Sequence, residues 1–239
     1  SRLKNALLAV RKMRSKLEAI ERSKTEPLAI IGMGCRFPGG ADNPDQYWSL
    51  LHDGVDAITE VPKDRWDIEQ YYDPDPDAPG KMYVRNAGFI DQVDQFDAKF
   101  FGITPREAIS MDPQHRLLLE VSWAAIEQAC QSPEQLRNSQ TGVFVGITTN
   151  DYLQLQTRLG DQTIIDAYTA TGNCLNAVAG RLSYTLGLQG PSMAVDTACS
   201  SSLVTVHLAC QSLRNRDCDL ALAGGVNLIL SPDGTIATS

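Results

Sequence analysis

The run "SMAVDTACSSSLVTVHLAC", residues 192–210, decides the fold. SMAVD, 192–196, is mostly apolar and short, which suits a buried strand. SSLVTVHLACQSLRN, 201–215, carries a helical pattern instead. So few residues separate them that the chain must make a sharp turn, and Cys199 sits on it. A helix N-terminus carries partial positive charge and free backbone N–H groups, and both favour a thiolate. The same N–H groups are placed to stabilise an oxyanion on an acyl group attached to the sulfur. Ser200, Ser201 and Ser202 are small, suit a first helical turn and leave the approach open. Spacing alone leaves two readings: a catalytic thiol, or a buried structural cysteine.

Outward from that run, strands and helices alternate. LAIIGMG (28–34) and TGVFVGI (141–147) read as buried strands, and DLALAGGVNLIL (219–230) as a strand pair or a strand with a bend. NPDQYWSLLHDG (43–54) reads as a short helix stopped by Gly54. TPREAIS and DPQHRLLLEVSWAAIEQAC (112–130) form a strong helical region, with Pro113 allowed in a first turn. NCLNAVAGRLSYTLG (173–187) is helical and stops at Gly187, while YYDPDPDAPGK (71–81) is a loop. Such alternation predicts a layered α/β domain. GGVNLIL and SMAVD are expected to be central strands buried on both faces.

Residues 1–24 differ. Leu3, Ala6, Val10, Met13, Leu17 and Ile20 follow alternating steps of three and four, an a/d seam over three heptads. Pro27 prevents the helix from continuing. An amphipathic helix lying on its own domain would share this pattern; a short parallel coiled coil with a second copy fits it better. The chain thus divides into a dimerising helix, 1–24, and an α/β unit, 25–239.

The net charge of −8 argues against nucleic acid or an anionic membrane as main partner, since both require a basic footprint. No apolar run approaches transmembrane length, and no signal peptide is legible. The six cysteines include no C-x-x-C pair, and the three histidines make no zinc spacing with them. Mostly buried thiols in a reducing, cytoplasmic setting are expected.

DTACSSSL resembles the active-site motif of β-ketoacyl synthases, the condensing enzymes of fatty acid and polyketide assembly. The likeness runs through most of residues 27–239. PLAIIGMGCRFPGG, KFFGITPREAISMDPQHRLLLE, GVFVGITTNDY and GPSMAVDTACSSSLVTVHLA are similar, in order, to signatures of the ketosynthase domain of modular type I polyketide synthases. The helix before them resembles the docking segment of those proteins. The resemblance implies a thiolase-like fold of two similar βαβαβ halves in five layers, in a homodimer. It implies that Cys199 is the nucleophile of a decarboxylative Claisen condensation. No cofactor is then bound directly, and phosphopantetheine arrives on acyl carrier proteins, upstream and downstream. An acyltransferase domain of the same synthase is a further implied partner.

The family also uses two histidines in later motifs, and His52, His115 and His207 sit in neither. The sequence is therefore expected to cover the first half of the domain, as a piece of a longer chain or one of two chains, and to be inactive in condensation alone. An enzyme without condensation chemistry is the third account. His207, eight residues past Cys199, lies roughly 12 Å further along the helix and is expected to pack there. His115 is expected to be structural and His52 solvent-facing. Arg181 and Tyr184, on one helix, are expected to pack near the dimer axis.

GMGCRFPGG (32–40) mimics a dinucleotide fingerprint, but Phe37 takes the third glycine position and Pro38 breaks the helix. The DPDPD run lacks calcium-loop spacing and reads as a solvated loop. Two rival functions remain. One is a non-catalytic condensing-fold module for dimerisation and carrier-protein docking. The other is a thiol hydrolase, which would need a histidine base near Cys199.

Overall fold

A computed structural model describes residues 2–158, 160 and 165–239, with side chains omitted at 2, 3 and 19–24. In chain order the elements are α1 (Arg2–Lys24), α2 (Pro44–His52), β1 (Thr59–Glu60), β2 (Asn86–Ala87), α3 (Pro105–Ser110), α4 (Pro113–Gln128) and α5 (Pro133–Leu136). Then follow β3 (Thr141–Gly146), α6 (Asp151–Arg158), α7 (Ala167–Asn173), α8 (Ala177–Leu186), β4 (Ser192–Val195), α9 (Ser201–Asn215), β5 (Leu220–Gly225) and α10 (Asp233–Thr238).

Local chemistry sets the helix starts. Asn43, Thr104 and Asp112 each accept a backbone N–H at the head of α2, α3 and α4, and a proline follows each of them at the first helical position. Gly187 ends α8 in the left-handed conformation, φ 71°.

The main sheet is parallel, in the order β4-β3-β5. Parallel crossovers are right-handed. The chain passes from β3 to β4 in one direction and from β4 back past β3 to β5 in the other. Its two helical crossovers must therefore cover opposite faces of the sheet. α8 packs on β3 and β4, and α9 on β3 and β5. This is the expected βαβαβ unit in three layers. Every residue of β3 is buried, and Val143, Val145, Val178, Leu182, Leu119 and Ile126 belong to one apolar core.

Four expectations need correction. LAIIGMG is not a strand. Residues 28–34 form no regular element and lie against α4, where a Cβ on Gly32 would lie 2.3 Å from the Ala125 carbonyl oxygen. That close approach docks the segment on a helix, and Ile30 is left 82% exposed. SMAV and LALAGG do form strands, but they flank β3 as the edges of this sheet, and Ser192 and Met193 are exposed. Only 220–225 of the stretch 219–230 is strand, so GGVNLIL is no strand of its own and, of the two readings of that stretch, the strand pair fails; the Val226 N–H just beyond β5 donates to the Gly146 carbonyl (2.9 Å). The thiols are also less buried than expected: Cys218 is buried and Cys35 and Cys210 half-buried, but Cys130, Cys174 and Cys199 are exposed, each beside a helix end.

The N-terminal segment is one helix, Arg2–Lys24. Val10, Met13 and Leu17 are exposed along it; the side chains of Leu3 and Ile20, the ends of the seam, lie outside the described residues. α1 approaches α9, and the Arg214 Nε donates to the Glu26 carbonyl just beyond it (3.3 Å).

Candidate active site

Cys199 stands where the topology favours a ligand. In open parallel sheets, ligands bind beyond the carboxyl ends of adjacent strands whose connections leave toward opposite faces. β3 and β4 are such a pair, and the turn 196–200 follows directly from β4.

The turn is held by its own side chains. One Asp196 carboxylate oxygen accepts the Ala198 N–H at 2.9 Å and the Thr148 hydroxyl at 3.1 Å, which ties the turn to the chain leaving β3. Ala198 adopts φ +53°, a left-handed conformation unusual for a residue with a side chain. The Ser201 hydroxyl accepts the Thr197 N–H (2.9 Å) and donates to the Ala198 carbonyl (2.7 Å). The Ser200 hydroxyl faces backward, donating to the Thr197 carbonyl at 2.8 Å.

Ser200 therefore makes no side-chain cap on α9. The Ser201 N–H is taken by the Ala198 carbonyl (3.0 Å), but the N–H groups after it in the first turn have no carbonyl one turn behind them, so the uncapped start offers those donors and partial positive charge to whatever sits before it. Cys199 sits there, exposed. Gly146 lets α9 come this close: a Cβ on it would lie 2.9 Å from the Ser201 backbone carbon.

Of the residues weighed from sequence, Cys199 and the serines after it belong to this site, with Ser201 buried under the turn rather than beside the approach. His207 is exposed on α9, not packed as expected, because the buried face of that helix runs through Ser201, Thr205, Ala209 and Ser212. His52 is exposed beside Asp53 (2.9 Å), and His115 is buried at the head of α4. Burial, with the Arg181 cation adding to it, lowers His115 to about 4, so it is neutral at pH 7. Arg181 is mostly buried and bonds Glu107 at 2.6 Å, and Tyr184 is 88% exposed.

The sequence did not point to Asp196 or Thr148, and it offered Ser201 as a small residue of the first helical turn, not as the hydroxyl that bonds Thr197 and Ala198. A signal existed for the first, since an Asp two residues before an N–H is the spacing of an Asx turn. The link from Thr148 spans 48 positions and has no local signature.

A cavity of about 280 Å³ lies between Gly34–Pro38, Phe89, Leu118 and Gly225–Ile229, and Cys199 is not in its lining. The thiol itself is exposed at the surface. The Gln114 amide stitches the loops of that region together, donating to the Thr149 carbonyl (2.9 Å) and accepting the Leu228 N–H (3.3 Å). Among the described residues no group of three His, Cys, Asp or Glu side chains comes together to hold a metal, and no helix is long and apolar enough to cross a membrane.

Known proteins share this arrangement. The oxazolomycin ketosynthase domain OzmH KS7 of Streptomyces albus JA3453 superposes with a TM-score of 0.80 at 40% identity, over 87% of this chain and 36% of that one. The ketosynthase from module 6 of the bacillaene synthase of Bacillus subtilis 168 gives 0.77 at 40% identity, over 88% and 34%. By sequence, the chain is 56% identical over 214 residues to one of the phenolphthiocerol/phthiocerol polyketide synthase proteins of Mycobacterium tuberculosis (strain CDC 1551 / Oshkosh), covering 90% of this chain and 12% of that protein. The chain spans about an eighth of the length of such relatives. Residues 25–239 match the profile described as "Beta-ketoacyl synthase, N-terminal domain". With the βαβαβ unit and the thiol turn on one continuous match, the chain belongs to the β-ketoacyl synthase N-terminal domain family.

Proposed function

We propose that Cys199 carries the growing acyl chain in a polyketide chain-elongating condensation. The carrying observation is an exposed thiol before the uncapped start of a 15-residue helix at the switch point of a parallel sheet. In the first stage the thiolate attacks the carbonyl of an acyl-phosphopantetheine thioester presented by an upstream carrier protein. The tetrahedral oxyanion collapses, expelling the pantetheine thiolate and leaving an acyl-Cys199 thioester. In the second stage a malonyl-type unit on another carrier loses carbon dioxide. Its carbanion forms the new carbon–carbon bond at the acyl carbonyl, and the Cys199 thiolate leaves. The chain's own part is the nucleophile and the donors at the head of α9. None of its three histidines stands at the thiol, so proton handling falls to groups outside this sequence.

The exposed apolar side chains support a unit that is half of a larger fold. Leu203 (75% exposed) and Val206 lie on α9 away from the sheet, and Ile30 and Met33 face outward beside α4. A complete domain covers such surface with its second half and its dimer mate. The exposed seam of α1 supports a parallel two-helix coil that joins the two copies or docks an upstream partner. An acyltransferase domain of the same synthase supplies the extender unit.

Brief iodoacetamide labelling followed by peptide mapping tests the reading. Cys199 is expected to react ahead of Cys130 and Cys174, which are also exposed. Modification of either before Cys199 would overturn it, as would a thiol at 199 no faster than theirs, the behaviour of a docking scaffold.

A further inference from the structure

Ala198 departs most plainly from its residue type at the site. An alanine gains nothing intrinsic from φ +53°, and a conformation of this kind persists only where surrounding bonds over-determine it. Both sides of the residue are held. Its N–H is held by Asp196, which Thr148 anchors from the β3 side. Its carbonyl accepts both the Ser201 hydroxyl (2.7 Å) and the Ser201 N–H (3.0 Å). Ser201 is itself buried and seated beneath Gly146 and cannot drift. Its hydroxyl proton is committed to Ala198 and its lone pair to the Thr197 N–H, so it is no base for the thiol.

We propose that Asp196 and Ser201 are positioning residues that lock Ala198 in its left-handed conformation and thereby present the Cys199 sulfur to the open head of α9. Resting on the reading of Cys199 as nucleophile, this adds the residues that aim it. Were Ala198 to relax to negative φ, the next Cα–Cβ bond would swing away from the helix axis, and the thiol would lose the donors in front of it. Asp196 acts here as a hydrogen-bond acceptor, so an amide oxygen can replace its carboxylate.

The test is the rate of Cys199 alkylation by iodoacetamide relative to Cys174 in the same sample, mapped by peptide mass in the full chain, with folding checked by circular dichroism. Asp196→Ala and Ser201→Ala are expected to lower that ratio about tenfold, the scale of losing one strained backbone well. Asp196→Asn is expected to stay within about twofold of the parent, because its amide oxygen still accepts from Ala198 and Thr148. An unchanged ratio in folded Asp196→Ala would overturn the lock, as would an Asp196→Asn loss equal to that of Asp196→Ala. If Asp196→Ala does not fold, Thr148→Val takes its place: a loss of about threefold supports the lock and none defeats it. A parent protein in which Cys199 reacts no faster than Cys174 removes the nucleophile reading itself, a different failure seen before any variant is made.

Discussion

Helices α4 and α9 each begin straight after a bend in the chain, and their first turns are built in opposite ways. At α4 the Asp112 carboxylate accepts the Gln114 N–H at 2.8 Å, Pro113 follows, and the whole turn is buried. At α9 Ser200 looks backward, no side chain caps the helix, and a thiol stands exposed before it. In α4 the positive end is matched by a carboxylate from its own chain, and the helix serves packing. In α9 the same end is left unmatched, which forgoes about 1 kcal/mol of capping and keeps the donors free for a ligand. The difference separates a structural helix start from a functional one, and it can be pressed experimentally.

The largest effect should come from His115 in the closed turn. Its folded-state value is lowered from the ordinary 6.5 to about 4, because burial disfavours the cation and Arg181 repels it. A depressed value means that the unfolded chain takes the proton first. His115 therefore contributes fully above about pH 6.5, and its contribution drains away as pH falls toward 4, by about 3 kcal/mol over that window. Asp112, raised by burial, works in the opposite sense at the acid end. Urea melts at pH 7 and pH 5 should show a stability loss that His115→Gln largely abolishes; an equal loss in the variant would place the sensitivity elsewhere.

Gly146→Ala comes next, acting on the open turn. The added methyl meets the Ser201 backbone at 2.9 Å and must push α9 outward, at about 2 kcal/mol. It should also slow Cys199 alkylation, a coupling that no change near α4 should show. Asp112→Ala should cost about 1 kcal/mol through the lost cap while leaving the Cys199 rate unchanged. A changed thiol rate in that variant would mean that the two turns are not independent. The smallest change in stability, a gain of about 0.5 kcal/mol, is expected from Ser200→Asp, which brings a carboxylate to the open start. That variant should nonetheless depress thiol alkylation, making α9 resemble α4.

Much of this contrast is written locally. Asp112-Pro113 announces a capped helix, and the short link from SMAV to SSLV forces a tight turn with Cys199 upon it. Helix starts and turns set by near neighbours were legible, apart from the bonds that Asp196 and Ser201 make inside the turn. What depends on distant segments was not. LAIIGMG and TGVFVGI carry the same apolar signal, yet only the second lies between two strands. The first has α4 alongside it, a neighbour more than eighty residues away in the chain. SMAV looks as buried as β3 in composition and becomes an edge, because sheet order is not a property of the strand. The Thr148–Asp196 link and the exposure of Cys130 and Cys174 follow from the same long-range assembly.

The most direct test of Cys199 is acyl transfer itself. The protein is incubated with an acetyl thioester of N-acetylcysteamine, which reproduces the end of a phosphopantetheine arm, and its intact mass and peptides are measured. One hydroxylamine-labile acetyl group should appear on Cys199. It should be absent from Cys199→Ala, whose urea melt should match the parent because the thiol supports no packing. Acetyl groups spread over Cys130 and Cys174 as readily as over Cys199, or none on Cys199 at all, would contradict the assignment.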